Sequence, residues 1–179
     1  MTTNECLYDT EETNRIRELA MGRLHEPPAP FHSHQAVAFR TARIMADHAE
    51  PRMLGRVAIA PVDVILDRER ALVLQPDVLF VATERLGIIR DQVWAPDLVV
   101  EGPSPGTERR DRAQKLEWFR QYGVRECWLV DPRQELVTVV DLTARFRANA
   151  RPRAATRFNR RSCRGSRQPF SSSGLYPLS

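Results

Sequence analysis

The chain predicts an α/β fold, a mixed β-sheet flanked by helices, and three features carry that prediction. Two apolar runs, residues 56–66 and 72–82, are joined by the wholly charged Asp67-Arg68-Glu69-Arg70, the mark of an antiparallel hairpin. Residues 34–49 and 107–122 instead repeat apolar positions every three or four residues, the period of a helix with one covered face. A short run at 98–101 and two β-rich runs at 125–130 and 135–142 complete the order helix, three strands, helix, strand pair.

Residues 1–14 are polar and are expected to form a flexible N-terminus ahead of a domain spanning 15–143. Pro27, Pro28 and Pro30 exclude regular structure and read as a linker. Ser33 stands where an N-cap is wanted, and Val37, Thr41, Ile44, Met45 and His48 mark the covered stripe of a helix over 34–49, which Pro51 ends. In 56–66 apolar residues occupy both parities, as in a strand covered on both faces, so Asp63 is its anomaly. Asp63 either points into a site beside Asp77 or pairs with an arginine. Residues 83–92 read as a surface loop with a short helix or hairpin. Pro96 starts the strand that closes on Glu101, and Gly102-Pro103-Ser104-Pro105-Gly106 stops it. Thr107 is the expected cap of the next helix, with Glu108 favourable near its positive end and Gly123 as its stop. Asp131-Pro132-Arg133-Gln134 is a turn. Trp94, Trp118, Cys127 and Trp128 read as core or core-edge residues, not as base-stacking platforms.

Three consecutive elements deliver two carboxylates and one amine: Asp77 inside one apolar run, Glu101 at the end of another, and Lys115 beside the helix's apolar stripe. Acids are rarely buried unless paired or bound to metal, because desolvating a lone charge costs several kcal/mol or more. Lys115 is the only lysine beside 26 arginines. Arginine serves wherever a plain positive charge suffices, whereas a lysine offers a compact charge whose pKa shifts readily and which can position or deprotonate a water. The ordinary alternative for Lys115 is a cation that snorkels at the core edge. Two acids and a lysine around one point are the parts of a site that binds a divalent cation and activates water against a phosphodiester.

The segments Val62-Asp63-Val64, Gln75-Pro76-Asp77 through Val81, Ala95-Pro96-Asp97 through Glu101, Ser104-Pro105, Thr107, Asp111-Arg112, Lys115 and Gly123 through Pro132 resemble, in order and spacing, the Uma family, described as putative restriction endonucleases of the PD-(D/E)xK superfamily. The resemblance covers roughly residues 15–142. It implies a restriction endonuclease-like core in which Asp77 and Glu101 hold Mg²⁺ or Mn²⁺, Lys115 acts from the following helix, and Gln75 and Asp63 stand behind them. It also implies a short strand pair at Glu18-Leu19 and Gly22-Arg23-Leu24. Glu18 then either leans into the site or is solvated. A histidine falls at His34, which either contacts phosphate or is merely solvated. Gly102, Pro103 and Gly106 depart from the family pattern, and Pro103 stands where the superfamily's ordinary motif keeps its lysine. The implied activity is metal-dependent hydrolysis of DNA by a homodimer, since cutting two strands of opposed polarity needs two sites. The competing reading is an inactive nuclease fold that binds nucleic acid or protein.

Bulk properties fit one domain of ordinary size in 179 residues. All 23 acids precede residue 144, where they meet 18 basic residues for a net of −5. Residues 144–179 carry nine arginines and no acid, and 25 of these 36 residues are Arg, Ala, Ser, Pro or Gly. Such a segment cannot bury enough to offset its ordering entropy and is expected to be a disordered basic tail able to grip nucleic acid backbones. The same composition is also what a shifted reading frame in GC-rich DNA would produce. With this tail unstructured, residues 135–142 would form an open sheet edge. No apolar run approaches the ~20 residues of a membrane span, the N-terminus lacks the character of a signal peptide, and Cys6, Cys127 and Cys163 share no zinc-like spacing. A cytoplasmic protein is expected.

Overall fold

The computed structural model describes residues 1–9, 15–89, 93–102, 109–143 and 154–157. Helix α1 (Thr3–Tyr8) opens the chain, where a loose terminus is expected. Thr2 and Glu5 cap it reciprocally, a T-x-x-E pattern that is legible in the sequence. Its Cys6 and Leu7 pack on Leu19, Ile65, Ala71 and Val73, which explains why so short a helix is held. Strands β1 (Glu18–Ala20) and β2 (Arg23–His25) pair antiparallel as expected. Met21 and Gly22 between them both have positive φ, the signature of a type I′ hairpin turn.

Helix α2 (His32–Ala49) begins before Ser33, with Phe31 at its N-cap and no side chain capping it. Its buried residues are Ala38, Met45 and Ala49, of which Ala38 and Met45, with Val37 and Ala42 beside them, pack on Val78, Val100 and Val130. Ile44, expected on that stripe, is 58% exposed, and His48 is exposed as well.

Each of the two long apolar runs is broken by a proline, so four strands stand where two are expected. Strands β3 (Gly55–Ile59) and β4 (Val64–Asp67) flank Pro61, and β5 (Leu72–Leu74) and β6 (Val78–Ala82) flank Pro76. A proline has no N–H to continue a ladder, so pairing lapses there. β4 pairs antiparallel with β5 in one sheet, and β3 with β6 in another. The Ala60 amide donates to the Asp77 carbonyl at 3.0 Å, holding the two breaks side by side. The hairpin thus passes from one sheet to the next at residues 75–77.

A 3-10 turn (Thr83–Ile88) and β7 (Val93–Trp94) lead to β8 (Leu98–Glu101), helix α3 (Arg109–Gln121), β9 (Glu126–Asp131) and β10 (Leu136–Asp141). The five-stranded sheet has the order β2-β1-β5-β4-β7. In the six-stranded sheet β8 and β9 are parallel, and α3 makes the crossover that a parallel pair requires. Phe119, fully buried, seats α3 on Leu72, Val99 and Cys127, and Gly123 ends the helix at φ +88°. Trp94 is exposed, contrary to a core assignment. Strand β11 (Ala154–Arg157) pairs antiparallel with β10, which corrects the expectation of an open edge and of a wholly unstructured basic segment. Residues 144–153 and 158–179, and the expected cap Thr107, lie outside the described residues. No helix among the described residues is long and apolar enough to cross a membrane.

Candidate active site

The break at Pro76 frees Asp77 from the ladder just where the two sheets meet. Val78 faces Val100 in the antiparallel β6–β8 pair, so Asp77, one residue earlier, comes opposite Glu101, one residue later. Lys115 reaches Glu101 from α3, at 3.7 Å, and Glu18 arrives from β1 of the other sheet to meet it at 2.7 Å. Asp77, Glu101, Lys115, Glu18 and His34 line one small pocket, with Pro27, Pro28 and Pro30 along it.

The Asp77 carboxylate is held on both oxygens. Oδ2 accepts the Gly102 amide at 2.6 Å, and Oδ1 lies 2.9 Å from His34 Nε2, which must carry its proton to donate there. His34 therefore belongs to the site, and the solvated reading of it is set aside. Glu18 is likewise not solvated: it is buried, and its Oε1 accepts Lys115 Nζ at 2.7 Å and the Gln75 amide at 3.2 Å. Gln75 lines the pocket but aims its side-chain amide at Asp63, at 2.8 Å, while its oxygen accepts the Arg17 amide at 2.9 Å. Asp63 thus braces Gln75 and does not line the pocket beside Asp77.

Glu101 is strongly perturbed electrostatically. Burial pushes its carboxyl up to about 8; Lys115, 3.7 Å away, opposes the shift, while Glu18 and Asp77 add to it. Its Oε1 is buried without a hydrogen-bond partner. For Lys115, burial alone would lower the ammonium's pKa, but Glu101, Glu18 and Asp77 outweigh it and hold the group above its ordinary value. Lys115 is therefore held as a charged ammonium here. Behind Glu101, the buried Cys127 thiol is pushed up by desolvation and then by the Glu101 charge, which makes it inert.

Among the described residues no three His, Cys, Asp or Glu side chains form a ready-made metal-ligand group. The residues nevertheless fit a hard divalent cation. Glu18 and Glu101 converge on Lys115, Asp77 lines the same pocket, and the buried Glu101 Oε1 accepts no hydrogen bond, so the oxygen donors gathered here suit a hard cation.

Asp97 follows the second Pro of an outwardly similar pair but plays no part in this site. It is buried, paired with Arg85 at 2.7 Å and Arg125 at 3.4 Å, and accepts the Ala82 amide, tying β6 to β8.

Gly102 has a spatial reason that the sequence hides. A Cβ there would come 2.7 Å from His34 Cε1 and 3.2 Å from Asp77 Oδ2. Gly102→Ala is expected to push His34 off Asp77 and, if the pocket holds a divalent cation through Asp77, to weaken its binding by about 10-fold or more, the usual scale for disturbing a ligand's hydrogen-bond partner. If the cause is the clash, His34→Ala adds little on top of Gly102→Ala in a double-mutant cycle; fully additive losses would refute it.

Compared with known proteins, residues 4–157 match the model of the Uma2 family, described as putative restriction endonuclease. No curated protein matches the chain. Among solved structures, a putative nuclease belonging to DUF820 from Anabaena variabilis ATCC 29413 superposes with a TM-score of 0.68 at 19% identity, over 81% of this chain and 82% of that one.

Proposed function

The chain belongs to the Uma2 family of putative restriction endonucleases, and from that membership we propose that it hydrolyses DNA phosphodiester bonds with a divalent cation, Mg²⁺ or Mn²⁺. Its fold is the restriction endonuclease-like α/β core that the sequence resemblance implies. The observation that carries the activity is the buried Glu101 Oε1, which accepts no hydrogen bond and meets only Lys115 at 3.7 Å, in the pocket that Asp77 also lines. Asp77 and Glu101 would hold the cation, with the Gly102 carbonyl as a further oxygen donor. When bound, the cation would supply charge for the phosphate and acidify a water.

The chain's own groups do the rest. Lys115 has three N–H bonds, of which one goes to Glu18 and another faces Glu101, leaving the third to orient the attacking water by donation. His34 and the Gly102 amide fix the Asp77 carboxylate, and Glu18 fixes both Lys115 and the backbone of Gln75. Pro27, Pro28 and Pro30 line one side of the pocket.

Calorimetry with Mn²⁺ tests this reading. The wild type should bind, and Asp77→Ala should bind about 10- to 100-fold more weakly, or not at all. Equal binding by both, or none by either, would overturn the site in favour of a binding module, for which the already satisfied Asp77 oxygens speak. On a duplex, one site per chain makes a two-fold homodimer the simplest way to cut both strands. Light scattering should then find a dimer at micromolar concentration; a stable monomer removes double-strand cutting.

A further inference from the structure

Beside the Glu101 pocket lies a second and larger cavity of about 290 Å³, between β2 and α3. Glu18, His25 and Lys115 line both, so the Glu18–Lys115 ion pair is the partition between them. The floor is the buried Leu74. One wall is Trp118, which packs partly on the core and also faces this space. The rim carries Arg23, His25 and Gln114, all exposed. Glu18 is the only carboxylate among the described residues lining the cavity, and its charge is already met by Lys115.

We propose that this cavity takes one unstacked nucleobase from the nucleotide next to the bond cleaved, with that nucleotide's phosphate on Arg23 and His25. The inference rests on the nuclease reading and adds the form of the substrate. An aromatic wall over an apolar floor suits a base of any identity, because every base has a π-face. The Gln114 amide can both donate to and accept from a base edge. The Arg23 guanidinium on the rim suits the backbone, and the His25 ring can donate a hydrogen bond to a phosphate oxygen. A volume just below the roughly 300–1,000 Å³ of ordinary ligand pockets holds a single nucleotide and excludes a stacked base pair. The base must therefore leave its stack, which is easiest where the strand is already unpaired. Single-stranded or unpaired sites should be preferred to intact duplex.

The test is fluorescence anisotropy in EDTA with the full chain, a short labelled oligothymidylate, and the same strand annealed to its complement. Wild type should bind the single strand more tightly. Trp118→Leu should weaken that binding by about five-fold or more, the lower end for one base–aromatic stack, and leave duplex binding unchanged. Arg23→Gln alters an exposed strand position and should weaken single-strand binding without changing the thermal melt. Wild-type preference for duplex, or wild-type single-strand affinity in both variants, overturns the base pocket. A wild type that shows the expected preference yet cuts neither substrate with Mn²⁺ sinks the nuclease reading and leaves the pocket standing.

Discussion

Lys115→Met is expected to slow plasmid cleavage by about 100- to 1,000-fold, the loss that follows removal of one preorganised donor. Its effect on stability should be smaller than burial suggests. Stripping the partner from a buried ion pair costs about 3–5 kcal/mol when the remaining charge stays ionised. Glu101, however, is already pushed up to about 8 and would remain protonated at neutral pH, so Glu18 alone is left to be accommodated. Lys115→Arg separates the two effects. It keeps the charge facing Glu18 and Glu101 and should preserve the melting temperature, but its planar fork cannot place a donor where the ammonium does, so cleavage should remain slow. Single-turnover rates with Mn²⁺, read beside thermal melts of the three proteins, decide the matter. A Met variant that cleaves as fast as the wild type would remove Lys115 from the chemistry.

In the metal-free protein, stability should decline as pH rises, with Glu101 as the cause. Its carboxyl titrates near 4.5 in the unfolded chain and near 8 in the folded one, so between these values the folded state holds a proton that the unfolded state has released. The stabilising contribution is fully present below 4.5 and is lost as pH climbs through about 8. The slope can reach about 1.4 kcal/mol per pH unit. Glu101→Gln, neutral throughout, should flatten the curve and be more stable than wild type at the alkaline end. Mn²⁺ should remove the wild type's decline and leave the variant untouched. Chemical denaturation across this pH range in EDTA reads the effect directly; parallel curves for the two proteins would show that the Glu101 environment is not what the geometry indicates.

The residues proposed to carry the chemistry stand out in the sequence because their surroundings make them improbable: Asp77 and Glu101 in apolar runs, and a single lysine among arginines. The β1–β2 pair was implied by the family resemblance, and the turn at Asp131-Pro132 was legible from turn chemistry. Some misses had local signals. Pro61 and Pro76 announce the ladder breaks, and Thr2 with Glu5 announces the cap of α1. Ile44 was misassigned because several neighbouring stripes on α2 share its spacing, and only the sheet beneath selects one.

By itself, then, the sequence determined the succession of the main helices and apolar runs, the three residues on which the proposed chemistry rests, and the charge difference between residues 1–143 and the basic end. These are properties of local composition and period, which a chain carries wherever it folds. The tertiary structure alone decided which acids face one another and what each one touches. Lys115 and Glu18 are 97 positions apart, His34 and Asp77 are 43 apart, and the room that Gly102 leaves for His34 exists only once α2 lies against β8. Burial and partnership, which turn an ordinary glutamate into one that holds its proton to about 8, depend on atoms brought in from elsewhere in the chain, and no stretch of sequence contains them.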